Sequence, residues 1–172
     1  MKKMLAASAL ALAMGCSSYS WRPAIPENMR TVAVPTFRNE SGIAGLGSEA
    51  TRQTLREFQR EGTFAVRPAG DAALEVQGVV KAAKSTGLDY DRAAYLRNSE
   101  RRLTATAEVS LVDKRGGRVL VDSRAYDAEI TFLSGDDELT AERDASGRLA
   151  AELARQIVDD ILDLDMKGAE SK

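Results

Sequence analysis

Between residues 102 and 111 apolar and polar side chains alternate without a break. Leu103, Ala105, Ala107, Val109 and Leu111 hold one phase, and Arg102, Thr104, Thr106, Glu108 and Ser110 hold the other. A period of two predicts a strand with one face on a core and one face in water. Residues 73–85 predict a second such strand, with Leu74, Val76, Val80 and Ala82 opposed to Glu75, Gln77 and Lys81. After the turn Lys114-Arg115-Gly116-Gly117, a third long strand runs from Arg118 towards Phe132. Its apolar phase moves from Val119 and Val121 to Tyr126, Ala128, Ile130 and Phe132. A two-residue period cannot change phase without an irregularity, so a bulge or twist is predicted near Asp122 to Ala125.

Two segments carry helical spacing instead. Leu149, Leu153, Ile157 and Ile161 recur every fourth residue beside Ala150, Ala154 and Val158, which predicts a closing helix over about 138–162, with Gly147 as its true start or a kink. Leu46, Ala50, Leu55 and Phe58 form a weaker stripe over 48–61 that Gly62 stops. Two short strands complete the order. Thr31 to Arg38 is extended in character, but Pro35 cannot donate to a ladder and assigns it to an edge or an irregular end. Thr63 to Arg67 follows the first helix. Strand, helix, three or four strands and helix make an α+β two-layer sandwich, with two helices packed on one face of a mostly antiparallel four- to five-stranded sheet.

The amino terminus adds an address. Met1-Lys2-Lys3 leads into an apolar run too short to span a bilayer, which stops at Gly15 before Cys16, the only cysteine in 172 residues. Ala13-Met14-Gly15-Cys16 resembles the lipobox of bacterial lipoproteins, with Ala13 where Leu is usual. The resemblance implies cleavage after residue 15 and acylation of Cys16. Two or three acyl chains hold a protein on a membrane without spanning it, at about 0.8 kcal/mol per buried methylene. Ser17 at the second mature position, rather than Asp, implies the periplasmic face of the outer membrane. Residues 1–15 are then signal, 16–28 a lipidated tether with Pro23 and Pro26, 29–165 one domain and 166–172 a disordered tail.

Charge and composition narrow the chemistry. Acid and base nearly balance, 26 against 24, for a net charge of -2 that falls by two more when Lys2 and Lys3 leave with the signal. A domain that binds nucleic acid wholesale is strongly basic, so no nucleic-acid partner is expected. The chain has no His, and its one Cys is assigned to lipid. Ser-His-Asp and Cys-His catalysis, His bases and the usual zinc sites are thereby excluded, and a non-catalytic protein with no metal and no cofactor beyond the lipid on Cys16 is expected.

Gly42, Gly45 and Gly47 sit between a strand and a helix, but their spacing fits neither phosphate-loop motif and Glu49 occupies the anion position, so they predict a turn. Asp89 with Asp91, and Asp136, Asp137 and Glu138, lack EF-hand spacing; the second group predicts a helix start. The best ligand candidate is basic and amphipathic. Arg92, Arg97, Arg101 and Arg102 lie with Tyr90, Tyr95 and Leu96 at the junction of two long strands, and Lys81 and Lys84 approach along the first of these. Guanidinium forks match phosphate oxygens while the aromatic and aliphatic groups suit an apolar moiety. The alternative is a hairpin connection kept soluble by its charges.

Lipobox, tether, the strand Thr31-Val32-Ala33-Val34-Pro35-Thr36-Phe37-Arg38-Asn39-Glu40-Ser41, a helix, a meander of long strands and a closing amphipathic helix resemble the LptE family of lipopolysaccharide-assembly lipoproteins. The resemblance covers nearly the whole mature chain and rests on order and character, not on a catalytic motif. It implies a protein that helps assemble and then plugs the large outer-membrane barrel LptD, binding lipopolysaccharide on its way to the surface. The basic residues Lys81, Lys84, Arg92, Arg97, Arg101 and Arg102 are the candidates to bind that ligand. The opening strand is also similar to periplasmic lipoproteins related to CsgG, FlgO and LpoB, which implies an accessory of secretion or cell-wall synthesis.

Overall fold

A computed structural model describes residues 25–87, 99–134 and 137–164. Its sheet has six strands: β1 (Thr31–Ala33), β2 (Arg38–Asn39), β3 (Ala65–Val66), β4 (Leu74–Gly87), β5 (Ser99–Asp113) and β6 (Arg118–Ser134), in spatial order β3-β1-β4-β5-β6 with β2 also on β4. Helices α1 (Leu46–Glu61) and α2 (Glu138–Leu162) cover one face. The α+β sandwich stands, but the sheet is mixed. β4, β5 and β6 are antiparallel neighbours, whereas β1 runs parallel to both β3 and β4, and β2 parallel to β4. The reason is local: a helix between β1 and β3 returns the chain to the start of the sheet, and such a crossover makes parallel pairs.

Pro35 splits the opening strand in two. Val32 and Ala33 pair with Leu74 and Glu75, while Arg38 and Asn39 pair with Val79 and Val80, so the opening segment carries one residue more than β4 across the gap. Packing also reaches back before residue 29, where a tether was expected. Ile25 is buried and Glu27–Met29 form one turn of 3-10 helix with Met29 in the core.

The alternation of β5 is observed in full: Leu103, Ala105, Ala107, Val109 and Leu111 are all buried. β4 departs from expectation. Its register shifts between Val80 and Ala82, so Ala82 is exposed and Ala83 turns to the core instead. The bulge predicted in β6 is present, between Val121 and Arg124, with Ser123 at φ 42°. A second shift lies between the pairs of Leu111 and Val112 and puts Val119, expected to share a face with Val121, 55% into solvent.

α2 begins and ends where the periodicity placed it, and Gly147 lies inside it, so it marks neither a start nor an end. Asp137 caps it, accepting the Thr140 amide at 3.1 Å, and that bond with the Thr140 hydroxyl holds the Asp137 carboxyl below its ordinary range. Leu149, Leu153, Ile157 and Ile161 are at most 1% exposed. α1 ends at Gly62, φ 71°, whose amide returns to the Phe58 carbonyl at 3.1 Å.

Candidate functional site

The basic residues of β4 and β5 are distributed over two faces. Arg101 and Arg102 are consecutive in a strand and so point to opposite sides. Arg101 lies on the helix side, where Nη1 meets Glu138 Oε1 at 2.7 Å and Nε donates to Ser85 Oγ at 3.0 Å. It fastens the first turn of α2 to the sheet, and the Glu138 carboxylate it binds sits at the positive end of that helix. Arg102 lies on the outer face, with Nε 2.9 Å from Glu129 Oε1.

Lys84 shares that outer face. It stands opposite Thr104, and Thr86 stands opposite Arg102. On the far side of β5, Thr104 faces Glu129 and Arg102 faces Thr131. Lys84, Arg102 and the hydroxyls of Thr86, Thr104 and Thr131 thus make one flat polar patch, and among the described residues Lys84 has no carboxylate within ion-pair distance. Lys81 is different. It occupies the β4 irregularity, and its Nζ is 2.7 Å from Glu40 Oε2, a contact that lowers the Glu40 carboxyl and raises the Lys81 ammonium. The predicted set is therefore divided: Lys84 and Arg102 come together, Arg102 paired with Glu129 as Lys81 is with Glu40, and Arg101 points away. Arg92 and Arg97, with Tyr90, Tyr95 and Leu96, lie outside the described residues, as do Cys16, Asp89, Asp91 and Asp136.

The patch is remote from the point where the chain enters the domain. Val32 is opposite Leu74, ten residues before Lys84 on β4. At about 3.3 Å per residue the two are roughly 33 Å apart along the strand.

A second feature escaped sequence reasoning. A cleft of about 1250 Å³ lies between the Gly42–Gly45 turn with the start of α1 and the first turns of α2, with Ile43, Leu46 and Leu139 as its apolar lining and Arg52, Arg143 and Arg148 among its charges. Leu139, 81% exposed and off the apolar stripe of α2, was the one available signal. Elsewhere, Tyr126 donates to Asp160 at 2.6 Å while Arg124 reaches both oxygens of the same carboxylate at 2.5 Å, joining the β6 bulge to α2. Burial, and then that hydrogen bond, push the Tyr126 phenol upwards. Among the described residues no three acidic, His or Cys side chains come together as metal ligands, and no helix is long and apolar enough to cross a membrane.

A family model described as LptE, lipopolysaccharide-assembly, matches residues 29–162. No curated protein matches the chain. Among solved structures, protein XCC0632 from Xanthomonas campestris is 13% identical with a TM-score of 0.59, covering 87% of this chain and 95% of its own. The protein CT253 from Chlamydia trachomatis is 16% identical with a TM-score of 0.53, covering 76% and 94%. A minor lipoprotein from Acinetobacter baumannii is 16% identical with a TM-score of 0.47, covering 77% and 92%. At these identities the first two bear on the fold alone.

Proposed function

Because the chain belongs to LptE, the lipopolysaccharide-assembly family, a family of bacterial-envelope lipoproteins, we propose that it is an outer-membrane lipoprotein that assists and plugs an LptD-type barrel and binds lipopolysaccharide without transforming it. The family match across residues 29–162 carries this reading and favours it over a CsgG-, FlgO- or LpoB-like accessory. Cys16, acylated, holds the protein on the periplasmic face. The binding surface is the outer-face patch of Lys84 and Arg102, and the sequence assigns Arg92 and Arg97 to the same ligand. Ammonium and guanidinium groups bond to phosphate with charge assistance, and the surrounding hydroxyls suit a sugar backbone. Arg101 and Lys81 support the fold around that surface rather than the ligand. With the chain entering at the opposite end of β4, the patch projects away from the anchoring leaflet.

Three measurements test it. Cys16→Ala should leave an uncleaved or soluble form, and an intact mass showing unmodified Cys16 on mature membrane-bound protein would remove the anchor from the reading. Lipopolysaccharide capture by the full chain in detergent should fall for Lys84→Glu with Arg97→Glu and Arg102→Glu while the melting curve holds. Raising the salt should weaken wild-type capture too, since exposed charges are screened over about 8 Å at physiological ionic strength. Arg101→Glu should do the reverse, lowering the melt and sparing capture. Equal capture by a folded triple variant rejects this surface. Mass spectrometry after detergent extraction should return a large outer-membrane barrel, and a murein synthase or secretion ring in its place would reject the LptD assignment.

A further inference from the structure

The sheet ends at β6, and among the described residues no strand, helix or loop pairs with the outer edge of that strand. From Arg124, opposite Val109, to Leu133, opposite Glu100, β6 pairs with β5 without a shift. Along this stretch every second residue turns its amide and carbonyl away from β5. The ten residues of the stretch, five of them turned outward, span about 33 Å. Natural edges of this length are usually broken by a bulge, a proline or a short strand. Here the bulge at Ser123 lies before the segment and leaves the rest regular. The inner flank is closed, because Tyr126, Ala128 and Phe132 are buried and Asp160 of α2 holds Tyr126 and Arg124. The outer flank presents Asp127, Glu129, Thr131 and Leu133 in turn, Leu133 61% exposed.

We propose that this edge receives an extended segment of a partner protein as a further strand, with basic or hydroxyl side chains at alternate positions facing Asp127 and Glu129. Charge weighs against a second copy of this chain in the central registers. Antiparallel self-pairing centred on residue 127, 128 or 129 sets Asp127 against Asp127, Asp127 against Glu129, or Glu129 against Glu129, and like charges directly opposite destabilise a strand pair. The acidity of the edge is cancelled only in part. Glu129 has Arg102, whereas among the described residues Asp127 accepts only the neutral Thr106 hydroxyl, at 2.5 Å. A strand with Lys or Arg across from Asp127 supplies the missing partner together with the missing backbone bonds. This interaction stands on the sheet edge beside the lipid surface, with which it shares Thr131 and the Glu129–Arg102 pair, and it is read separately, by amide protection rather than by lipid capture.

The test is hydrogen exchange read by mass spectrometry on the full chain in detergent, with two synthetic probes: the peptide Lys-Val-Lys-Thr-Arg-Val-Thr and its counterpart with Glu at each basic position. At saturation the basic peptide should slow exchange of the outward amides between residues 124 and 133 about tenfold or more, and the acidic peptide should not. Asp127→Lys with Glu129→Lys should invert that preference, with Asp127→Lys alone serving if the double variant melts early. Protection by both peptides alike, or by neither, overturns the proposal. So does a wild-type dimer in sedimentation whose residues 124–133 are protected without any peptide.

Discussion

Ile157→Asp is expected to leave no cooperatively folded domain. Ile157 is completely buried between Leu153 and Ile161 on the face that α2 lays over the sheet, and Leu103, Leu111 and Phe58 belong to the same core. Truncating such a residue to Ala typically costs about 2–5 kcal/mol. Asp adds the burial of a carboxylate for which the apolar face has no cation, against a total stability on the order of 5–15 kcal/mol for an ordinary domain. The check is a thermal melt followed by near-ultraviolet circular dichroism, with Ile157→Ala to give the scale. Arg155→Gln, two residues away on the exposed side of α2, should stay within about 0.5 kcal/mol of wild type. An unchanged melt for Ile157→Asp would mean that the stripe is a partner surface and that the core lies elsewhere.

That stripe was legible because a helix and a long antiparallel strand write their buried faces into local spacing. α2 and the alternation of β5 were recovered residue by residue for this reason, and so was the β6 bulge, since a phase change within one strand is itself a local signal. What could not be read is what depends on pairing. Val119 obeys the same alternation as Val121 and is nevertheless turned outward by a second shift, and Ala82 is displaced by one at Lys81. The layout of the candidate site depends on pairing in the same way. Arg101 and Arg102 read as one cluster in a line of letters, yet a strand separates neighbours to opposite faces, giving one to Glu138 and the other to Glu129. Lys81 could be known as neutralised only once β2 had placed Glu40 beside it.

Phe37 explains why the opening segment has the composition it has. Past Pro35 the chain cannot continue as a regular strand, and Phe37 drops its ring into the core, 2% exposed, over Gly78 of β4. A Cβ on Gly78 would lie 2.5 Å from that ring. The Phe37 backbone is gripped as well: its amide donates to Thr51 Oγ1 at 2.8 Å, and that hydroxyl donates to the Gly47 carbonyl at 2.8 Å. Gly47 is where helix and strand meet most closely, because a Cβ there would stand 2.6 Å from the Phe37 carbonyl oxygen and 3.0 Å from Asn39 Cβ. A backbone oxygen cannot rotate aside, so a side chain at 47 has to push α1 off the sheet and strain the Thr51 bridge. Gly47→Val should therefore destabilise by about 1–3 kcal/mol, the usual cost of overpacking, with Gly47→Ala in the same direction. Gly147 in α2 gives the opposite sign. Its added Cβ would meet only Glu49 Oε1, at an ordinary 3.7 Å, so Gly147→Ala removes backbone entropy from the unfolded chain and should stabilise by about 0.5–1 kcal/mol. Denaturant melts of both variants decide the matter: a Gly47→Ala protein as stable as wild type would show that α1 does not rest on the Phe37 carbonyl, and that the segment from Val32 to Asn39 is held by its strand pairing alone.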